Sequence, residues 1–339
     1  MAAKVTIKDI ALKLNTNIST VSRALNNSPS ISTETRRLVL KTARQLGYEP
    51  NSFAKQLRRG ASNTIGLIVP RINRMFFSNA VHGVETIAKQ KGFNVIICQS
   101  NETHADEASA VQTLLNNNVA GIIMSLSIES AADESFRDVI KRKVPFVMFD
   151  RVAEGAAANK VINNNFQGAY EAVSHLIQQG YQNIVHISGP QHSSIYKDRF
   201  EGYKKALADH GLSFRTELVV ENVLTRDGGR NTAETLIRKR ISFDGIFAAG
   251  DYAALGAMLY LKERQIKVPE DVGVAGFANE PFTELLGITS VEQYGTELGK
   301  SAVRLLIEEI TEKEQRQAEK KIEINPQLII RESSNRRKL

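Results

Sequence analysis

Near the N-terminus, one short stretch combines three small hydroxyl side chains with an arginine: Ser19, Thr20, Ser22 and Arg23. Small polar side chains near the start of a helix let its backbone come close to the edges of DNA bases. An arginine can donate two parallel hydrogen bonds to O6 and N7 of guanine. In a helix, the apolar residues Val21, Ala24 and Leu25 would face inward. This pattern favours a helix that reads bases in a groove of double-stranded DNA.

Other candidate residues follow apolar runs that are typical of buried strands. In open parallel sheets, ligands bind at the carboxyl ends of the strands. Phe76 and Phe77 would offer an aromatic face to a sugar or base ring, although core packing is the commonest role of phenylalanine. Asp150 and Arg199 would hydrogen-bond the vicinal hydroxyls of a sugar-like ligand. Alternatively, they would form a salt bridge that closes two lobes of the protein on each other. Asp251 would contact a ligand, or else cap the helix that follows it.

Two short helices position the hydroxyl and arginine side chains. Thr6 and Asp9 form the pattern of a capping box at the start of a helix of about two turns. Residues 15–17 form a polar turn, and Asn17 can cap a second helix that runs to about Leu25. Two helices joined by about three residues match a helix-turn-helix.

A third helix is predicted from Thr33 to Leu46, with Ser32 as its N-cap and Gly47 as its stop. Its apolar residues Leu38, Ala43 and Leu46 would pack on the first two helices. Its basic residues are Arg36, Arg37, Lys41 and Arg44. An ordinary three-helix bundle would show the same periodicity, but it would not require the polar face of the second helix.

The positive charge is confined to one end of the chain. Residues 1–60 hold eleven Lys and Arg against three Asp and Glu, a net charge of +8, while all 339 residues sum to +7. A small basic segment on an electrically balanced body indicates a polyanion partner at that end. A solvated basic arm without a partner is the alternative.

From Thr64 onward, strand-like and helix-like segments alternate in two successive series. The first contains TIGLIVP, FNVIICQS, VAGIIMSL and VPFVMFD. The second contains KVINNN, NIVHISGP, ELVVENVL, DGIFAAGD and DVGVAGFANE. Such alternation predicts two α/β lobes, each a parallel, doubly wound sheet with helices on both faces.

Four segments together give the chain a resemblance to the LacI/GalR family of transcriptional regulators: VTIKDIALKL, STVSRALN at 19–26, residues 48–60, and TIGLIVP at 64–70. The similarity covers essentially all 339 residues. It implies a helix-turn-helix head at 1–47, a hinge helix at 48–62 and an effector-binding and dimerisation domain at 63–339. The family's hinge helix orders on operator DNA, and a leucine, here Leu57, wedges between the central base pairs.

The resemblance also implies which residues touch DNA, with base reading by Ile18, Ser19, Ser22 and Arg23. The full expected set is Thr6, Asn17, Ile18, Ser19, Thr20, Ser22, Arg23, Asn26, Ser32, Thr35, Asn51, Lys55, Leu57 and Arg58.

By the same resemblance, the body is expected to be similar to periplasmic sugar-binding proteins. The chain would cross between lobes near residues 160, 290 and 322, so lobe one covers about 63–160 and 291–322, and lobe two about 161–290 and 323–334. The expected effector contacts are Phe76, Phe77, Asp150, Ser193, Arg199, Asp251, Asn279 and Gln293. Gly250 and Ala278 depart from the family pattern, which carries Asn and Asp there in many members.

Catalytic and cofactor signatures are missing from the sequence: it has no P-loop, no G-x-G-x-x-G, no G-x-S-x-G and no H-E-x-x-H motif. Cys98 is the only cysteine, so no intrachain disulfide can form. No signal peptide or membrane-spanning run is evident. We therefore expect a cytoplasmic DNA-binding regulator, without cofactor or metal, that senses a sugar or sugar derivative and acts as a repressor.

A homodimer is expected because no leucine heptads follow the last strand, as a C-terminal coiled coil would need. Two other functions stay open at this stage. One is a sugar-binding or sugar-processing protein with an incidental basic head, and the other is an architectural protein that bends DNA from its minor groove.

Overall fold

A computed structural model describes residues 5–48, 62–130, 135–312 and 318–336. The chain divides into two compact units, Met1–Ser62 and Asn63–Leu339.

The first unit contains three helices, α1 (Ile7–Lys13), α2 (Ile18–Leu25) and α3 (Thr33–Gln45). Their buried core residues are Ile10, Ala11, Val21, Ala24, Val39 and Ala43. The expectation for Leu38 is wrong, since its side chain is 47% exposed whereas Val39 is fully buried. Neighbouring helical residues point about 100° apart, so packing against α1 and α2 selects only one of the two.

The second unit contains two six-stranded sheets. The strands are β1 (Thr64–Val69), β2 (Asn94–Gln99), β3 (Gly121–Met124), β4 (Phe146–Phe149), β5 (Asn159–Asn163), β6 (Ile184–Ser188), β7 (Val219–Glu221), β8 (Gly245–Ala248), β9 (Gly273–Phe277), β10 (Thr289–Glu292), β11 (Lys321–Ile324) and β12 (Gln327–Ile329).

Helices connect these strands and cover both faces of each sheet. They are α4 (Met75–Gln90), α5 (His104–Asn116), α6 (Arg137–Lys141), α7 (Asn165–Gln178), α8 (Ser194–Asp209), α9 (Arg226–Arg238), α10 (Asp251–Glu263), α11 (Pro281–Leu285) and α12 (Gly295–Thr311). Among the described residues, none of the helices has the length and apolar character to cross a membrane.

Each sheet forms one lobe. The strand order is β11-β5-β4-β3-β1-β2 in lobe one and β12-β10-β9-β8-β6-β7 in lobe two. All pairs are parallel except β10 with β12. This arrangement is the doubly wound α/β architecture expected from the alternating pattern.

The chain passes from one sheet to the other after β5, after β10 and between β11 and β12. Two segments differ from expectation. The KVINNN segment forms β5, which pairs with β4 and β11 in lobe one, and not with the second series. Residues 289–292 form β10 in lobe two. The crossings therefore lie at about residues 164, 293 and 325, each a few residues beyond the expected positions.

Helix α12 packs on lobe one. Its buried residues Leu298, Ala302, Leu305 and Leu306 belong to the same apolar cluster as residues of α4. Gly83 of α4 and Gly299 of α12 allow the two backbones to approach, because a Cβ at either position would overlap a carbonyl of the facing helix. Helix α12 thus completes the core of lobe one, although it lies far from the first strands of that lobe in sequence.

Candidate functional site

Helix α2 presents a polar face to solvent in the first unit. Its inward residues Val21 and Ala24 are buried, whereas Ile18, Ser19 and Arg23 are exposed. Of the remaining expected contacts in this helix, Thr20 and Ser22 are half-buried. The face of α2 that the sequence assigned to DNA is therefore accessible.

Several other residues expected to contact DNA hold the helix ends in place. The Oγ1 and the backbone N–H of Thr6 donate to Asp9 Oδ2 at 2.7 and 2.8 Å, and these bonds lower the pKa of Asp9. Ser32 Oγ accepts from the backbone N–H of Thr35 at 3.2 Å. Asn26 Nδ2 donates to the carbonyl of Ser22 at 2.7 Å. These side chains fix the helix termini as well as lying on the surface.

Asn17 also lies at a helix start, since it precedes α2 as its N-cap residue, but its side chain makes no capping hydrogen bond. Four further expected contacts, Asn51, Lys55, Leu57 and Arg58, lie outside the described residues.

Arg36 has a structural role that the sequence did not reveal. Its Nη2 donates to the carbonyl of Ser28 at 2.8 Å, and its buried Nε has no hydrogen-bond partner among the described residues. Arg36 therefore ties α3 to the turn after α2, while the next residue, Arg37, is exposed.

In the second unit, a cleft with a volume of about 300 Å³ lies between the two lobes. Six of the eight expected effector contacts line it, namely Phe76, Phe77, Asp150, Arg199, Asp251 and Gln293. The positions that depart from the family pattern, Gly250 and Ala278, line it too.

Ser193 and Asn279 do not line the cleft. Ser193 is the N-cap residue of α8, and the cleft is lined instead by Ile195 and Tyr196 of the first turn of that helix. Asn279 is engaged inside lobe two, where its Oδ1 accepts from Arg331 Nη2 at 2.8 Å. For both residues, contact with the effector stays a prediction.

Arg199, on α8, is 4% exposed and held on three sides. Its Nε donates to Asn165 Oδ1 at 2.9 Å, and its Nη1 donates to the carbonyl of Ala249 at 2.7 Å. The guanidinium lies 3.6 Å from the ring centroid of Phe277. Burial lowers the pKa of Arg199 to about 10. Its expected alternative role in a lobe-closing salt bridge with Asp150 is not found among the ion pairs of the described residues.

Asp150 and Asp251 are both buried carboxylates at strand ends. Asp150 accepts from Ser125 Oγ at 3.4 Å, and burial raises its pKa. Asp251 is the first residue of α10, but its carboxylate reaches across lobe two, accepting from Ser290 Oγ at 2.6 Å and from the backbone N–H of Glu280 at 2.8 Å. Burial raises the pKa of Asp251 to about 7.

Phe76 and Phe77 are core residues of lobe one that also line the cleft. They pack edge to face with ring centroids 5.1 Å apart, and both belong to the core of lobe one. Each also forms part of the cleft wall, so the aromatic face is built on a rigid support.

The sequence missed a charged cluster beside Asp150. Arg151 Nη1 donates to Glu102 Oε2 at 2.5 Å, and Arg71 Nε lies 3.9 Å from Glu102 Oε1. Arg151, Glu102 and Arg71 all line the cleft. The adjacency of Arg151 to Asp150 was the available signal for one of them. Arg71 and Glu102 follow the ends of β1 and β2, so their position after a strand was the available signal for them.

Contacts between the lobes close the cleft. The guanidinium of Arg74, the residue before α4, lies 3.8 Å from the ring centroid of Tyr252 on α10. The carboxylate of Glu280 accepts from the backbone N–H of Met75. His192 Nε2 donates to the carbonyl of Ile128 at 2.7 Å. The arrangement can enclose a small polar molecule between aromatic and charged side chains, and no cluster of metal-ligating residues occurs in the described chain.

Comparisons with known proteins agree with both units. A model of bacterial regulatory proteins of the lacI family matches residues 6–51. A second model, of periplasmic binding proteins and the sugar binding domain of the LacI family, matches residues 62–332.

Two relatives are 32% identical to this chain. Catabolite control protein A of Priestia megaterium matches over 305 residues, which are 89% of this chain and 91% of the relative. The ribose operon repressor of Halalkalibacterium halodurans matches over 332 residues, 97% of each.

A solved structure, the transcriptional regulator CelR-cellobiose complex, superposes with a TM-score of 0.73 at 26% identity and covers 97% of this chain and all of that one. The chain therefore belongs to the LacI family of DNA-binding transcriptional regulators, and it is a regulator rather than an enzyme.

Proposed function

We propose that this protein is a cytoplasmic homodimeric repressor that binds a near-palindromic operator and responds to a sugar-like metabolite in its cleft. The observation that carries the proposal is the exposed surface of α2. Ile18, Ser19 and Arg23 are all exposed there, in the most basic part of the chain.

In this proposal, α2 lies in the major groove and Arg23 reads a guanine. The exposed basic side chains of α3, Arg37, Lys41 and Arg44, favour phosphate contacts that set the position of the head. A dimer presents two heads related by twofold symmetry, so each reads one half of a near-palindromic site.

Exposed apolar side chains support the dimer. Ile97 on edge strand β2 and Ile72, whose backbone N–H donates to Gln99 at the end of that strand, are 40% and 54% exposed. On lobe two, Leu285 and Leu286 are 85% and 43% exposed. Such apolar groups favour burial against a second copy.

The cleft suits a small polar metabolite because buried aromatic walls combine with a few polar groups from both lobes. Relatives named as a ribose operon repressor and a CelR-cellobiose complex support a sugar-like effector. The effector would act on DNA binding only through its different affinity for the arrangements with high and low operator affinity.

The proposal is tested by selecting duplexes from a randomised pool with the full-length chain at about 150 mM salt, where phosphate contacts alone give weak binding. We expect enrichment of a near-palindrome. Binding without enrichment, lost steeply as salt rises, would contradict it and favour a ligand-binding protein with an incidental basic head.

A further inference from the structure

In the cleft, the hydrogen-bond donors that lack a partner within the protein outnumber the free acceptors. Four arginines line the cleft: Arg71, Arg74, Arg151 and Arg199. Four carboxylates line it as well: Glu102, Asp150, Asp251 and Glu280. The formal charges balance, so the kind of ligand that fits depends on which of these groups already form hydrogen bonds within the protein.

Arg199 is a buried cation that donates no hydrogen bond to a carboxylate of the described residues. Its two described hydrogen bonds go to an amide oxygen and a backbone carbonyl, and no carboxylate of the described residues lies within ion-pair distance. Its Nη2 makes no hydrogen bond to described residues. The carboxylates of Asp150 and Asp251 lie close enough to interact with its charge, but neither accepts a hydrogen bond from it. A buried donor without an acceptor is costly.

Two more arginines have unused donors. Arg151 is 9% exposed, and its Nε has no hydrogen-bond partner among the described residues, with the Asp150 carboxylate 4.0 Å away. Arg74 stacks on Tyr252, and no described carboxylate lies within ion-pair distance of it. A stacked guanidinium keeps its N–H edge available, which is the geometry that binds carboxylates and phosphates with two hydrogen bonds.

The acceptors are mostly engaged. Both oxygens of Asp251 accept hydrogen bonds within lobe two. Glu102 Oε2 accepts from Arg151 and from the backbone N–H of Ile128. Asp150 keeps spare capacity, because its one described hydrogen bond is long, at 3.4 Å. A ligand that fits this cleft must therefore supply mainly acceptors and few donors.

We propose that the effector is an anionic sugar derivative, whose carboxylate or phosphate is bound by Arg74, Arg151 and Arg199 while Asp150 accepts from a hydroxyl. This inference rests on the proposed function and deepens it, since a neutral sugar brings hydroxyl donors as well as acceptors, whereas the unused groups of Arg74, Arg151 and Arg199 are all donors. Sugar acids and sugar phosphates share the required group.

The test is thermal stabilisation of the full-length chain by matched ligands at constant ionic strength. The ligands are glucose, glucuronate, glucose 6-phosphate, acetate and inorganic phosphate. The variants are Arg74→Gln and Arg199→Gln, and the control is Arg264→Gln, whose guanidinium lies over Tyr260 at 5.2 Å and outside the cleft. The wild type and all three variants have the same basic head. Any stabilisation by anions that bind the head is therefore equal in all of them and does not affect the differences between them.

We expect saturable stabilisation of the wild type by anionic ligands, with an apparent affinity about tenfold weaker in the cleft variants and unchanged in the control. Arg74→Gln keeps the test valid if Arg199→Gln does not fold, because Arg74 is only half-buried. The carboxylate and phosphate arms identify which anion is bound.

Two results would overturn the inference: glucose binding at least as tightly as both of its anionic forms, or anion effects that are equal in the wild type and the cleft variants. Selection of operator duplexes without ligand examines the proposed function separately. An enriched palindrome with no cleft-dependent anion effect would thus reject the anionic effector alone.

Discussion

The guanidinium of Arg74 in lobe one lies 3.8 Å from the ring centroid of Tyr252 in lobe two. Phe282 packs edge to face against Tyr252, with ring centroids 4.9 Å apart. Because Arg74 and Tyr252 belong to different lobes and both line the cleft, their contact links the two lobes beside it.

A double-mutant cycle with Arg74→Gln and Tyr252→Leu should show that these residues stabilise the second unit together. We expect a coupling free energy of about 0.5–2 kcal/mol, the usual range for a cation over an aromatic ring. Thermal unfolding of the wild type, the two single variants and the double variant provides the measurement. Strictly additive losses would show that the lobes do not meet at this contact in solution.

Arg36→Ala should destabilise the first unit by about 1–3 kcal/mol, because it removes the Nη2 bond to Ser28 that holds the turn between α2 and α3. Arg37→Ala is the matched control, since it removes the same charge from an exposed position. Hydrogen exchange of the α2 and α3 amides reports the difference. Equal protection in both variants would show that Arg36 contributes no more to stability than an exposed arginine does.

His186 should make the second unit sensitive to acid. Burial lowers its pKa from 6.5 to about 4 in the folded chain. Below pH 6.5, His186 binds a proton in the unfolded chain, whereas in the folded chain it stays neutral until the pH falls to about 4. Stability therefore falls between about pH 6.5 and pH 4, by about 3 kcal/mol in total, and is unaffected by this group at higher pH.

His186→Phe should flatten this acid dependence, because the site is a stack of rings formed with Phe200, Tyr203 and Phe247. Urea unfolding at pH 7 and at pH 5 measures the change, with the exposed His210→Gln as control. An unchanged difference between the two pH values would exclude His186 as the acid-sensitive group.

Arg23→Ala should weaken binding to the selected operator by about 1–3 kcal/mol and relax the preference at one base position. The control is Arg238→Ala, an exposed arginine of the second unit. Titrations on operator and on random duplex distinguish contacts with bases from contacts with phosphates. An equal loss on both duplexes would mean that Arg23 touches phosphate only.

The helices of the first unit could be predicted closely, because caps such as Ser32 and turn residues such as Asn17 act on their immediate neighbours. The rotation of α3 about its axis could not, which is why Leu38 was expected in the core position that Val39 occupies. The role of Arg36 was also hidden, since its partner Ser28 is fixed only when the turn has folded.

In the second unit, strand ends predicted most of the cleft because ligand sites in parallel sheets follow the carboxyl ends of strands. Asn279 does not line the cleft, because Ala278 and Asn279 have φ values of 122° and 49°, which redirect the chain after β9. Alanine gives no local signal for such a conformation. Likewise, nothing local decides which sheet β5 joins, since its partners β4 and β11 are set by long-range pairing.

Occupancy of the cleft should change operator affinity. Titrating the protein with the enriched operator, with and without the ligand that gives the largest cleft-dependent stabilisation, measures this coupling. We expect a change of about 5- to 150-fold in operator affinity, matched by an equal change in ligand affinity on adding operator. An operator affinity that is the same at saturating ligand would show that the cleft does not regulate DNA binding.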